Sequence, residues 1–156
     1  MSDQDHHQDR GPADNPGSDS GRSVVDTDAA DPAVRAIVAG HGAFAAGIIS
    51  AVEQITGRGA VFLPISNAGL CLDDIQGTLA QALDKTGARV IFTDLPAGSC
   101  TMAVRRMIRE RPGVLLVTGA NLSLLLDFAM QDDVEPALAV QSALDRGKAS
   151  MAVYGA

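Results

Sequence analysis

The chain has 156 residues and a formal net charge of −7 at pH 7, and almost all of that excess charge lies in residues 1–31, which contain eight Asp and two Arg. Residues 32–156 carry ten basic and eleven acidic side chains, so they lack the strongly basic surface that is typical of nucleic-acid-binding proteins. One local group of basic residues remains, at Arg105, Arg106, Arg109 and Arg111. No apolar run approaches the roughly 20 residues that span a bilayer, and the acidic amino terminus is unlike a signal peptide. We therefore expect a cytoplasmic protein.

The composition divides the chain into two parts. Residues 1–31 have no aromatic side chain and are rich in Asp, Gly, Ser and Pro, so they cannot bury enough apolar surface to offset the entropy lost on ordering. We predict that they form a disordered acidic tail. Residues 32–156 are numerous enough for one domain with its own core.

Strands and helices alternate along this second part. Apolar periodicity, together with the positions of Gly and Pro, predicts strands at 36–39, 60–65, 89–93 and 114–118 and helices at 44–56, 73–85, 98–111, 122–130 and 134–145. This alternation is typical of a parallel sheet connected by right-handed crossovers. Gly147 is expected to end the last helix. The apolar stretch that follows it, Ala149–Tyr154, is predicted to add an antiparallel strand at the edge of the sheet.

The position of Pro64 suggests the order of the strands. Proline has no N–H to donate and is tolerated at the edge of a sheet, which places the second strand at the rim. The fold expected is therefore α/β, doubly wound, with a mainly parallel sheet of order 2-1-3-4 and an antiparallel C-terminal edge strand. In such a sheet the strand order reverses between strands one and three, and ligands bind at the carboxyl ends of those strands.

Two side chains suited to chemistry follow strands one and three. His41 lies between Gly40 and Gly42 directly after the first strand, and Asp94 directly follows the third. We expect them to face each other across one crevice. A carboxylate that accepts the Nδ1 proton of an imidazole fixes its tautomer and leaves Nε2 as the nucleophile. His41 is the only histidine outside the tail, so it is the predicted catalytic residue, with Asp94 as its partner.

The start of the third helix predicts an anion site beside this pair. The N–H groups at a helix start favour anions, and here Gly98 and Ser99 begin the helix. We assign phosphoryl binding to these two residues and to Gly42, and we predict no metal site. Simpler interpretations remain open at each position: His41 as a turn residue, and Asp94 or Ser99 as a cap of the helix. Their joint location at one switch point favours the functional interpretation.

Three segments together resemble a known family. Residues 37–57 around His41, the run Thr93–Leu95 followed by Gly98 and Ser99, and residues 117–122 resemble the mannose-family (fructose/mannose/amino-sugar type) IIA component of the bacterial phosphoenolpyruvate-dependent sugar phosphotransferase system. The resemblance extends over residues 35–154. It implies that His41 accepts a phosphoryl group from phospho-HPr, that Asp94 hydrogen-bonds this histidine, and that Ser99 lines the phosphoryl site. The intermediate implied is a covalent phosphohistidine, with no cofactor.

The resemblance also implies partners. The acceptor is expected to be a separate IIB component, and contact with the membrane is expected only through a IIC/IID complex. The chain is expected to form a homodimer that exchanges its last strand. The stretch Pro96–Cys100 departs from the usual family pattern of two glycines and Ser-Pro and resembles the amino-sugar branch, which leaves the sugar open. A regulatory module read by its phosphorylation state, or a phosphoryl relay of the dihydroxyacetone-kinase type without sugar transport, would use His41 in the same way.

Overall fold

The computed structural model describes residues 34–155, and the predicted tail at 1–31 lies outside this range. Within it, strands and α-helices alternate and are numbered here in chain order. The strands are β1 (Ala36–Gly40), β2 (Phe62–Ser66), β3 (Val90–Thr93) and β4 (Leu115–Thr118). The helices are α1 (Phe44–Thr56), α2 (Leu72–Thr86), α3 (Ser99–Met107), α4 (Leu122–Ala129) and α5 (Pro136–Ala149), and a short 3-10 helix (Gly59–Val61) precedes β2. No helix in residues 34–155 has both the length and the apolar character needed to cross a membrane.

The four strands form one parallel sheet in the order β2-β1-β3-β4, which confirms the predicted order. Pro64 lies in the edge strand β2, as its missing N–H requires. In the register, Gly40 of β1 is opposite Ser66 of β2, and Ala39 is opposite Thr93 of β3. The loops that follow β1, β2 and β3 therefore begin side by side at one edge of the sheet.

The sheet is covered on both faces, which explains why β1 and the first three residues of β3 are apolar and why both strands are completely buried. On one face, α1, α4 and α5 pack over a core that contains three aromatic rings. Phe128 lies at the centre of this cluster, with its ring centroid 5.1 Å from that of Phe92 and 5.8 Å from that of Phe62. On the other face, α2 and α3 pack over Ile37 and Ile91. This core fixes the ends of β1 and β3 that lead into the loops.

The helix α3 is shorter than its prediction, because it ends at Met107 and not at residue 111. The chain turns after Met107 and reaches Gly113, which has φ +88°, before β4. In this turn Arg111 donates two hydrogen bonds to the carboxylate of Asp84 on α2, at 2.6 and 3.1 Å. The side chain of Arg111 is therefore held against the neighbouring helix outside α3.

The helix α5 was predicted at 134–145 and is displaced towards the carboxyl terminus. The carboxylate of Glu135 accepts hydrogen bonds from the N–H groups of Ala137 and Leu138, which sets the start of the helix. Gly147 was expected to end the helix, but it lies inside it, where α5 crosses α4 closely. A Cβ at this position would lie 2.8 Å from the Cβ of Leu124. The glycine is required by the close approach of two helices and does not mark a helix end.

The predicted antiparallel strand at Ala149–Tyr154 is not formed in this chain. Ala149 is the last residue of α5, so the helix takes up the start of the expected strand. Residues 151–155 have no regular secondary structure, and the side chains of Met151, Val153 and Tyr154 are exposed. The end of the described chain thus presents apolar side chains to solvent.

Candidate functional site

The turn after β1 brings His41 against the loop after β3. A Cβ on Gly40 would lie 2.7 Å from the Cδ1 atom of Phe44 and 3.0 Å from the Cγ atom of Asp94, so only glycine lets the strand pass this close. Gly42 has φ +52°, the left-handed conformation that glycine adopts without strain. The two glycines around His41 thus have separate tasks: close approach at Gly40, and a reversal of the chain at Gly42.

A single carboxylate oxygen holds both the backbone and the ring of His41. The Oδ2 atom of Asp94 accepts a hydrogen bond from the backbone N–H of His41 at 2.8 Å and lies 2.7 Å from its Nδ1 atom. Because an ionised carboxylate only accepts hydrogen bonds, Nδ1 carries the proton, and the lone pair of the neutral ring is on Nε2. The Asp94 side chain is 10% exposed and that of His41 is 51% exposed. The geometry therefore combines a nearly buried anchor with an accessible nucleophile.

The hydrogen bonds from His41 also set the charge of the anchor. Burial favours the neutral form of the Asp94 carboxyl and acts to raise its pKa. The bonds from the backbone and ring of His41 favour the ionised form more strongly, and the pKa of Asp94 lies below its usual value. Asp94 is consequently a carboxylate at neutral pH.

Two buried threonines fix the loop that carries Asp94. The hydroxyl of Thr101 donates to the carbonyl of Leu95 at 2.5 Å. Its hydrogen is thereby used, so the hydroxyl of Thr93, 2.7 Å away, is the donor to the Oγ1 atom of Thr101. Both threonine residues are fully buried. Asp94 lies between Thr93 and Leu95, and this chain of bonds therefore holds it from both sides.

The start of α3 lies directly against the imidazole. A Cβ on Gly98 would be 3.0 Å from the Cε1 atom of His41 and 3.9 Å from its Nε2 atom. Gly98 is the residue before the first turn of α3, and no side chain caps this end of the helix. Neither Asp94 nor Ser99 thus acts as the cap that the simpler interpretation expected. The N–H groups of the first turn, which carry partial positive charge, remain beside the ring.

The structure adds two residues that the sequence did not suggest, Ser66 and Asn67 at the end of β2. The hydroxyl of Ser66 donates to the carbonyl of Gly42 at 2.8 Å, and the Nδ2 atom of Asn67 donates to the Oγ atom of Ser99 at 2.8 Å. Only the pairing of Gly40 with Ser66 in the sheet register reveals that this loop reaches the site. The site is therefore built from the carboxyl ends of β1, β2 and β3.

The fold and the site together define an α/β protein whose histidine, anchored by a carboxylate, stands beside an uncapped helix start. The family described as "PTS system fructose IIA component" matches residues 35–142 of the chain. The chain belongs to this fructose/mannose IIA family of the sugar phosphotransferase system, whose members are phosphotransfer components. A comparison with curated protein sequences gave no match.

Several solved structures share the fold. A candidate permease of the phosphoenolpyruvate-dependent sugar phosphotransferase system from Klebsiella pneumoniae is 25% identical, over 76% of this chain and 89% of that one, with a TM-score of 0.67. Component EIIA of the phosphotransferase system from Streptococcus agalactiae is 22% identical, over 77% and 96% of the two chains, with a TM-score of 0.70. The mannose/sorbose-specific IIA subunit from Enterococcus faecalis is 18% identical, over 79% and 96%, with a TM-score of 0.69.

Proposed function

We propose that the protein is a phosphocarrier that accepts a phosphoryl group from phospho-HPr on His41 and passes it to a separate IIB component for coupled sugar uptake and phosphorylation. The observation that carries this proposal is the double hydrogen bond from His41 to the Oδ2 atom of Asp94. It leaves Nε2 as the atom with a lone pair on a half-exposed ring, where a partner protein can reach it.

The proposed step is an in-line displacement between two imidazoles. The lone pair of His41 Nε2 forms a bond to phosphorus as the phosphorus–nitrogen bond of the donor breaks, and the leaving nitrogen keeps that bonding pair. Nδ1 of His41 keeps its proton, so the ring gains positive charge next to the Asp94 carboxylate. Transfer to IIB is the reverse displacement onto its acceptor side chain. Both steps need only the covalent phosphohistidine intermediate and no cofactor.

The phosphoryl oxygens are assigned to the start of α3. The N–H groups that follow Gly98 and the hydroxyl of Ser99 can donate to them, and the uncapped helix end favours their negative charge. We assign Gly42 to the same cradle because it directly follows His41, and a Cβ there would have no neighbour within 4 Å, which leaves this side of the turn open. These three residues thus keep the roles expected from the sequence as part of the proposal.

Labelling with phosphoenolpyruvate, enzyme I and HPr tests the assignment. We expect one acid-labile phosphate per chain, at His41, and none in His41→Ala. Removal of residues 1–31 takes away His6 and His7 and leaves His41 as the only histidine, so this variant should be labelled at the same rate. Phosphate on another residue, or no label while HPr itself is phosphorylated, would refute the proposal. Purified IIB then distinguishes the carrier from a regulatory module, because only a carrier loses its label to IIB.

We also propose a homodimer in which the carboxyl-terminal segments are exchanged, with a cytoplasmic location and membrane contact only through a IIC/IID complex. The edge strand β4 pairs only with β3 among the described residues and has one side free for a further strand. The exposed apolar side chains of Met151, Val153 and Tyr154 fit such a strand better than they fit solvent. Exchange of the carboxyl-terminal segments would cover the free side of β4 and these exposed apolar side chains at once.

A further inference from the structure

The side chain of Asn67 reaches into the candidate site from the loop after β2. Its Nδ2 atom lies 2.8 Å from the Oγ atom of Ser99, at the start of α3, although the two residues are 32 positions apart in the chain. Asn67 is partly buried and belongs to none of the motifs that predicted the site. Its contact with Ser99 joins the edge strand to the proposed phosphoryl cradle.

We propose that Asn67 is a positioning residue that orients the hydroxyl of Ser99 for phosphoryl transfer, an inference that rests on the proposed function. A hydroxyl has one hydrogen to donate and lone pairs that accept. Because the Asn67 amide donates to Ser99 Oγ, the hydrogen of Ser99 cannot point at Asn67. It can donate instead to a phosphoryl oxygen at the start of α3, next to the ring of His41. Asn67 thus acts through Ser99 and does not touch the reacting atoms.

The loop around Asn67 is held without help from its amide group. The backbone N–H of Asn67 donates to the carbonyl of Gly40 at 3.1 Å, and the hydroxyl of Ser66 donates to the carbonyl of Gly42 at 2.8 Å. Both bonds stay in a variant that shortens the side chain of residue 67. Asn67→Ala consequently removes the contact with Ser99 and leaves the loop tied to the turn of His41. This separates a positioning role from a general role in folding.

A double-mutant cycle tests the proposal through the rate of phosphoryl transfer from phospho-HPr. Loss of one preorganised donor to developing charge costs about 10² to 10³ in rate where water is excluded, and less at a site that is open to solvent, as the half-exposed ring of His41 is. We expect Ser99→Ala and Asn67→Ala each to slow transfer by about tenfold, and the double variant to be no slower than Ser99→Ala alone, because residues that act through one another are not additive. Rate losses that multiply in the double variant, or an unchanged rate in Asn67→Ala, would overturn the role of Asn67.

Asn67→Asp provides a second, independent readout. A carboxylate accepts hydrogen bonds only, so it would turn the Ser99 hydroxyl towards itself and away from the phosphoryl group. We expect Asn67→Asp to transfer more slowly than Asn67→Ala while its melting temperature stays close to that of the wild type. The reverse order of rates would contradict the proposed orientation. Labelling of His41 in the wild type, measured in the same assay, shows whether a failure concerns Asn67 alone or the phosphocarrier function itself.

Discussion

The substitution Asp94→Asn removes the negative charge beside His41 and nearly preserves the shape of the site. The remaining amide oxygen can take the place of Oδ2 and accept both bonds from His41, while the NH2 group must fit at the buried position of Oδ1. Orientation of the ring is therefore largely kept. What is lost is the attraction between the carboxylate and the positive charge that the ring gains as Nε2 takes up the phosphoryl group.

The size of this loss follows from the geometry. Two unit charges about 4 Å apart attract by about 4 kcal/mol at an effective dielectric constant of about 20. The carboxylate is nearly buried, but half of the imidazole surface faces solvent, which screens part of the attraction. A barrier increase of about 3 to 4 kcal/mol corresponds to a rate decrease of about 10² to 10³. We expect Asp94→Asn to transfer more slowly by this factor and still to carry its label on His41.

Rapid-quench measurement of transfer from phospho-HPr, with the wild type at the same concentration, gives the rate directly. Asp73→Asn is a matched control, because Asp73 is 90% exposed and its ion pair with Arg106 is long, at 3.8 Å. It should transfer at the wild-type rate. If Asp94→Asn stays within a factor of two of the wild type, the charge of Asp94 has no part in the transfer and the assignment is wrong.

Three further predictions concern the stability of the fold, the close approach of Gly98 to His41, and the assembly of the dimer. Because the pKa of Asp94 is lower in the folded protein than in the unfolded chain, its ionised form stabilises the fold above about pH 4, and this contribution is lost as the pH falls through the lower, folded value. The difference in the free energy of unfolding between wild type and Asp94→Asn, measured with urea, should therefore shrink over that range. Gly98→Ala should displace the ring of His41 and slow transfer about tenfold. The control Gly77→Ala in α2, where a Cβ meets no neighbour, should keep the rate of transfer and raise the free energy of unfolding by up to about 1 kcal/mol. Equal rates in the two variants would contradict the close contact between Gly98 and His41. Removal of residues 150–156 should convert a dimer into a monomer in light scattering at micromolar concentration, and an unchanged mass would count against the exchange of this segment.

The architecture was predictable because its signals are local. Continuous apolar runs mark strands that are buried on both faces, and Pro64 excludes a central position for β2. The positions of His41 and Asp94 followed from the strand order, since adjacent parallel strands place their carboxyl ends together. For these features a pattern of a few residues carries the information.

Other features depend on contacts between distant segments and leave no local signal. Glycine is common at the ends of helices, yet the role of Gly147 is set by its close approach to Leu124 on another helix. Asparagine is common in turns, and the contact of Asn67 with Ser99 exists only because β2 lies next to β1. The end of α3 was misplaced because the apolar periodicity does not show that Arg111 pairs with Asp84 on α2. In each case tertiary packing decides between two local possibilities.

The shielding of the Asp94 carboxylate from water bears on how long a phosphorylated form of this protein survives. Hydrolysis of a phosphohistidine is accelerated by a base that takes a proton from an attacking water molecule. The Oδ2 atom of Asp94 is already occupied by two N–H groups of His41, and its Oδ1 atom is buried out of reach of solvent. The carboxylate nearest the reacting nitrogen is therefore unable to activate water, although the ring itself is open to solvent. On the proposed function, the phosphoryl group can remain accessible to a second protein and yet be lost to water only at the slow, unassisted rate.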